Sequence, residues 1–433
     1  MRARIHALRL VAAGMVLAVG CAPYGQPAET GGDAGYPSGT EGGPGEAARH
    51  EATPGEAVRH EATPSDGARP SRAPSAAPRA AAAARDYAWV DSLVRVDALE
   101  RGVPGVAVAI VADGRVLLQR GYGLADVAAS RTVEPTTPFN IASVTKPITA
   151  ALALLLAEEG ALRLDDPVGR FLPDLPERYR GITIRQLLTH TSGVDRDLRE
   201  DNFDDPDAAE YRLRLDTASL HATPGERWEY ANAGYTLLGW ALAKAAGESL
   251  ADAYARLLFG PLGVRNAAYR RPLRQDSRRA LPYAVEDGET VPAPYVSGGF
   301  ASGGLSMSIS DLANFARALH DDLLLSEDAK RTLWTPATLA DGSPVAFEMM
   351  APDASYGMGW FLTRYEGRRL FTHGGGISGY SANLYHFPEE GLSIAVLANA
   401  KGRDDGRAPV DLLARAIASE CFGRDACGPD GPP

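Results

Sequence analysis

Cysteine is scarce in this chain, with three residues in 433, at positions 21, 421 and 427. They sit at the two ends, so neither a metal cluster nor a disulfide framework can organise the body between them. Lysine is scarcer still for its type: of the 44 basic residues, four are lysines (Lys146, Lys244, Lys330 and Lys401) and the rest are arginines. A lysine therefore runs against the compositional habit, which draws attention to the places where one stands. Positive charge is in deficit overall, the net charge being -11 with a pI near 5.3, which argues against nucleic acid or an anionic surface as partner. Also missing are His-Glu-x-x-His, the zinc-protease spacing, and Gly-x-Ser-x-Gly, the elbow of the commonest serine hydrolase fold. No cofactor or resident metal is expected.

Hydrophobic residues make up 45 % of the chain, enough for an enzyme-sized core. The longest apolar run, Leu10 to Val19, follows Arg2, Arg4 and Arg9 and precedes Gly20-Cys21. It is too short for an ordinary transmembrane helix and reads as an export signal over residues 1–20, with Cys21 as a lipidation site that would anchor the protein to a membrane at the cell envelope. Ala18 stands where such a box usually has a bulkier aliphatic residue. Residues 21–84 are rich in Gly, Pro, Ala, Glu and Arg, and the decamer from Gly45 recurs from Gly55 with Ala48 becoming Val58. Such a segment cannot bury a core and reads as a tether, with His50 and His60 as repeat passengers.

A folded domain is expected over residues 85–425, with 426–433 as a tail. Trp89, Val90, Leu93 and Val96 recur at helical spacing. Residues 105–112 and 115–120 flank Asp113-Gly114 and read as a hairpin. The alanine- and leucine-rich stretch from Ser143 to Glu159 is apolar on nearly every face, the mark of a buried helix. Thr183-Ile-Arg-Gln186 is a capping box. Residues of about 160–295 read as a helical subdomain without convincing strands, and strands return at 357–362, 369–372, 380–387 and 392–398 before a helix from Pro409 to Ser419. Strands at both ends around a helical middle give an α+β class with one antiparallel sheet built from both termini.

The chemistry begins at Ser143-Val-Thr-Lys146, the only Ser-x-x-Lys in the chain. On a helix starting near Ser143 the two side chains share a face one turn apart. Serine needs a neighbour to take its proton, and a lysine can do so where its pKa is lowered by burial or nearby cations. Tyr230-Ala-Asn232 offers a proton relay and an amide that, in extended backbone, point the same way. His373-Gly374-Gly375-Gly376, at the end of a strand, would let backbone N–H groups approach a substrate, as an oxyanion hole requires. Each match alone is weak; a capped helix, a trivial tripeptide and a glycine-rich hairpin loop would explain them singly.

Taken together and in this order, Ser-x-x-Lys, Tyr-x-Asn and His-x-Gly resemble the serine beta-lactamase-related hydrolases, which include class C beta-lactamases, D-alanyl-D-alanine carboxypeptidases, D-aminopeptidases and esterases. Leu187-Leu-Thr-His-Thr-Ser-Gly193, Gly303-Gly-Leu305 and Tyr356-Gly-Met-Gly-Trp360 extend the likeness over about Asp86 to Glu420. The resemblance implies a beta-lactamase/transpeptidase-like fold, Ser143 as the acylated nucleophile, and Lys146 and Tyr230 sharing the base and proton-shuttle roles. It further implies substrate contacts from Asn232, His373 and Gly375 and an oxyanion hole from the amides of Ser143 and Gly376. The expected activity is acyl-enzyme hydrolysis of an amide or ester in a small-molecule or peptide substrate. Alternatives are a beta-lactamase or a D-alanyl-D-alanine carboxypeptidase, or a sensor that acylates without turnover. His373 stands where beta-lactamases usually carry lysine; a largely neutral histidine grips a substrate carboxylate less well at pH 7. His190 is expected to be a satisfied polar group behind the cleft. Cys421 and Cys427 are expected to pair outside the cytoplasm.

Overall fold

The computed structural model describes residues 87–196, 198, 214–270, 275–286, 288–296, 299–347, 353–401, 409–424 and 427. The expected signal, Cys21, the tether and most of the tail lie outside them. The chain divides into two units, Pro23–Ala83 and the remainder, and every described residue belongs to the remainder.

Helix α1 (Ala88–Asp97) ends in a 3-10 turn at Leu99–Arg101 and stops at Gly102, whose φ of +87° only glycine adopts cheaply. The hairpin follows as β1 (Gly105–Ala112) and β2 (Arg115–Asp126), and β3 (Arg131–Thr132) pairs with the end of β2. After β4 (Phe139–Asn140) comes the 3-10 turn Ala142–Val144, then α2 (Thr145–Glu158), which is buried around nearly its whole circumference, as its composition requires. The capping box forms at Thr183 and Gln186 and opens α3 (Ile184–Leu188). Helix α4 (Asn232–Ala246) takes in Asn232, which is therefore helical rather than extended.

Short strands interrupt the middle of the chain. β5 (Ala268–Tyr269) and β8 (Leu305–Met307) flank the hairpin β6 (Tyr283–Glu286) and β7 (Glu289–Pro292), and β8 pairs with both β4 and β5. β5, β6 and β7 fall within residues 160–295, where the sequence shows no convincing strand. These strands are two to four residues long, below the length at which a period-2 alternation is readable. Helices α5 (Ile309–Ala318) and α6 (Glu327–Leu333) lead to β9 (Ser355–Tyr356), β10 (Phe361–Tyr365), β11 (Arg368–Ile377), β12 (Tyr380–Phe387), β13 (Leu392–Ala398) and α7 (Pro409–Arg424). Residues 357–360, expected to be strand, form a turn in which Gly359 takes φ +76° and presses against the Lys146 carbonyl, where a Cβ would come within 2.7 Å.

Among the described residues the main sheet has eight strands in the order β3-β2-β1-β13-β12-β11-β10-β9, so the first hairpin is closed by the last strand. Both faces of β1 are covered. Val106, Val108 and Ile110 pack with Val90, Val94 and Ile417 of the terminal helices, while Ala107, Ala109 and Val111 face the core that includes Leu312 and Phe315 of α5. The alanines let α5 approach the sheet closely, and each fully buried Val or Ile contributes roughly 1.5–3 kcal/mol. Cys421 and Cys427 are joined as a disulfide. Among the described residues no helix is long and apolar enough to cross a membrane, and no cluster of three or more His, Cys, Asp or Glu could hold a metal.

Candidate active site

The turn that carries Ser143 is built by its neighbours. Asn140, fully buried, turns its side-chain oxygen back to accept the Ala142 N–H at 2.8 Å and donates through Nδ2 to the Val296 carbonyl. This local bond holds Ala142 at φ +45°, a left-handed conformation that a residue with a Cβ takes rarely. The chain then tightens through the 3-10 turn into α2. Ser143 is thus half-buried on a constrained turn at the entry to a buried helix, rather than within the α-helix proper.

Lys146, one turn on, is fully buried, and its Nζ stands 3.2 Å from Ser143 Oγ. The same nitrogen donates to Asn232 Oδ1 at 2.9 Å and to the Ser302 carbonyl at 2.8 Å. As an ammonium it can donate to all three oxygens. As an amine it keeps two donors and offers a lone pair, towards which the Ser143 hydroxyl can donate. The Tyr230 ring lies below it, with Nζ 4.7 Å from the ring centroid, and the Tyr235 ring at 5.3 Å. The structure therefore brings Ser143, Lys146, Tyr230 and Asn232 together, with Asn232 exposed at the first turn of α4.

Strand β11 closes the other side. Its pairing with β10 ends at Thr372, whereas its pairing with β12 continues to Ile377, so residues 373–377 have strand partners on one edge only. That stretch packs on the Ser143 turn. Gly374 and Gly376 are exposed; Gly375 is half-buried, and a Cβ on it would lie 2.3 Å from the Ile141 carbonyl and 3.1 Å from the Ser143 nitrogen. The three glycines thus lie within a strand, not in the loop that the sequence alone allowed. Gly375, expected as a substrate contact, lies against the Ser143 turn, where the lack of a Cβ lets the strand come close.

His373 is only 2 % exposed. Its Nδ1 donates to the Gly374 carbonyl at 2.7 Å, so in the neutral ring Nε2 carries the lone pair, facing the Tyr356 hydroxyl at 3.4 Å. Burial, then the charge of Lys146, pushes its pKa down to about 3 against the pull of the Gly374 bond. The position therefore supplies a neutral, inward-turned ring and no cation for a substrate carboxylate. Burial likewise holds the phenols of Tyr235 and Tyr356 well above their ordinary pKa. One lysine stands among neutral aromatic groups.

Several members of this arrangement escaped the motif reading. Asn140 acts through a local bond to backbone, Ser302 through a carbonyl that any residue has, and Tyr235 and Tyr356 through rings that the sequence assigns equally well to core. His190 departs from its expected satisfaction: Nδ1 accepts from the Ala231 N–H, but Nε2 is buried without a hydrogen-bond partner.

The sequence can be set against known proteins. It is 30 % identical over 311 residues to penicillin-binding protein 4* of Bacillus subtilis (strain 168), covering 66 % of each chain. It is 29 % identical over 322 residues to protein flp of Staphylococcus aureus (strain COL), covering 72 % of this chain and 62 % of that one, so this chain spans less than two thirds of either relative. The octameric penicillin-binding protein homologue from Pyrococcus abyssi superposes with a TM-score of 0.65 at 28 % identity, covering 78 % of both chains. The family description named Beta-lactamase matches residues 53–419. With that match running over most of its length, the chain belongs to the beta-lactamase family of serine hydrolases, in the beta-lactamase and penicillin-binding-protein mould.

Proposed function

We propose that this protein is an exported serine hydrolase that acylates Ser143 with an amide or ester substrate lacking an essential carboxylate. The observation that carries the reading is the 3.2 Å approach of a fully buried Lys146 Nζ to the Ser143 hydroxyl. In the acylation step the Oγ proton passes to Nζ in its amine form as Oγ bonds to the substrate carbonyl carbon. The carbonyl oxygen becomes an oxyanion, placed against the amides of Ser143 and Gly376. The proton then moves, with Tyr230 as relay, to the leaving amine or alcohol as its bond to carbon breaks. Water repeats the sequence on the acyl-enzyme: its proton goes to the base, its oxygen to the carbonyl carbon, and Ser143 Oγ leaves and is reprotonated. Asn232, exposed and tied to Lys146, orients the bound carbonyl group.

The neutral His373 supports neutral acyl substrates over those anchored by a carboxylate. The penicillin-binding relatives favour a second reading, a D-alanyl-D-alanine carboxypeptidase or beta-lactamase, and with it a sensor that acylates without turnover. Export and anchoring at Cys21 rest on the basic and apolar run that precedes it.

The test is intact-protein mass spectrometry of the folded body with benzylpenicillin and with p-nitrophenyl butyrate, beside Ser143→Ala, with hydrolysis assayed in solution. Ester turnover lost in the variant, without a lasting penicillin adduct, is the expected result. A lasting adduct on Ser143 alone would move the reading to a penicillin-recognising peptidase or sensor, and opened drug to a beta-lactamase. Undiminished hydrolysis by Ser143→Ala would overturn the mechanism.

A further inference from the structure

His190 does more than fill space behind the site. It sits just beyond α3 at φ +58°, a left-handed conformation unusual for a residue other than glycine, and is 1 % exposed. Its backbone carbonyl accepts the Glu229 N–H at 2.9 Å, and its Nδ1 accepts the Ala231 N–H at 3.3 Å. These two donors are the amides on either side of Tyr230. The imidazole itself lies against the Tyr230 ring, with centroids 4.3 Å apart. One residue therefore fixes the backbone before and after the tyrosine, and one flank of its ring.

We propose that His190 is a positioning residue that sets Tyr230 against Lys146 by holding the two amides that bracket the tyrosine and packing on its ring. The proposal rests on the assignment of Ser143, Lys146 and Tyr230 as the reacting set. Its chemistry is specific. An N–H can only donate, so Nδ1 must carry its lone pair, and the neutral ring then bears its proton on Nε2, which has no hydrogen-bond partner. Burial first, then the charge of Lys146, holds its pKa well below the ordinary imidazole value. The titratable groups facing it are Lys146, His373 and the phenols of Tyr230, Tyr235 and Tyr356, with no carboxylate among them to favour an imidazolium. The strained backbone belongs to the same device: a left-handed His190 aims both carbonyl and ring at the 229–231 segment.

His190→Asn keeps an acceptor oxygen near the Nδ1 position and tolerates the left-handed backbone, whereas His190→Leu has neither. Steady-state hydrolysis of p-nitrophenyl butyrate by the full folded body separates a positioning role from a merely structural one. For His190→Leu, kcat should fall by about 30-fold or more with KM within about threefold, while His190→Asn stays within about fivefold of the parent. In a Tyr230→Phe background, His190→Leu should change the residual kcat by less than about twofold, because what it positions is already gone. Equal fold-losses in the two backgrounds would overturn the proposal, as would a folded His190→Leu with kcat within about threefold of the parent. If circular dichroism shows His190→Leu unfolded, His190→Asn decides: a folded Asn variant that loses kcat by about 30-fold refutes the acceptor role, and near-parental kcat supports it. Hydrolysis unaffected by Ser143→Ala would instead refute the nucleophile assignment, and the positioning role with it.

Discussion

Gly375 and Ser143 meet backbone to backbone: a Cβ on Gly375 would stand 3.1 Å from the Ser143 nitrogen and 2.3 Å from the Ile141 carbonyl. The contact is between main chains, so neither partner can swing aside as a side chain would. Gly375→Ala should therefore push β11 away from the turn and lower kcat by about 100-fold, since an oxyanion donor acts only at hydrogen-bonding distance. Gly374→Ala is the control, having nothing within 4 Å of its Cβ position, and should stay within about threefold on the same ester assay. Equal losses in both variants would show that the close approach is not what the glycine secures.

Lys146→Met, of similar length and without the amine, should remove the acceptor of the Ser143 proton. A loss of about 1,000-fold or more in kcat with the fold kept is expected from single-turnover kinetics. The fold should survive because an apolar side chain suits this buried position, although the carbonyl of Ser302 and the amide oxygen of Asn232 lose a donor. A variant that keeps kcat within about tenfold would rule out Lys146 as the base.

Asn140→Ala should act on the shape of the Ser143 turn. It strips the acceptor from the buried Ala142 N–H and the donor from the Val296 carbonyl, at a cost of about 1–3 kcal/mol in urea unfolding. With Ala142 free to leave its left-handed conformation, kcat should also fall by about tenfold or more. Unchanged stability and rate together would mean that the turn holds itself.

The buried histidines give a stability profile with a definite sign. His373 titrates near pH 3 in the fold, against about 6.5 in an unfolded chain, and burial also lowers the pKa of His190 and His386. The unfolded chain takes up these protons first as pH falls, so their contribution is complete above pH 6.5 and is lost between there and the folded value. Each imidazole kept neutral should remove about 1.4 kcal/mol of stability per pH unit in that window. Guanidinium unfolding at pH 7.5 and 5.5 checks this, and His386→Asn should reduce the slope by one group. A flat profile from pH 7.5 to 5.5 would contradict the burial of these rings as neutral groups.

Much of the fold was legible from pattern alone. The hairpin of β1 and β2, the buried α2, the capping box at Thr183 and the last two sheet strands each follow from a periodicity or a turn residue. The paired Ser143 and Lys146 were legible because three residues make nearly one helical turn. Where the reading failed, the cause was local conformation set by distant partners. Gly357–Trp360 turns because Gly359 must clear the Lys146 carbonyl, and the Phe371–Ile377 stretch stays extended because β12 pairs with it throughout. Asn232 joins α4 although its side chain turns back to accept from Lys146. The placement of His190 over Tyr230 depends on a left-handed backbone that no residue pattern announces.

Closure of the first hairpin by β13 has a temporal consequence. Residues 106–112 find their second neighbour in residues 392–398, nearly three hundred positions later, and β11 is joined to that pair only through β12. As the chain is synthesised, the helix that follows Ser143 emerges long before the strand that faces it. Contacts of such separation are slow to form, because a large loop must be closed before they are rewarded. A chain interrupted before residue 392 would hold Ser143 and Lys146 but would have an unpaired edge on β1 and no strand to anchor β12. Catalytic competence should accordingly arrive in one late step, when the final strand docks, rather than accumulate with length.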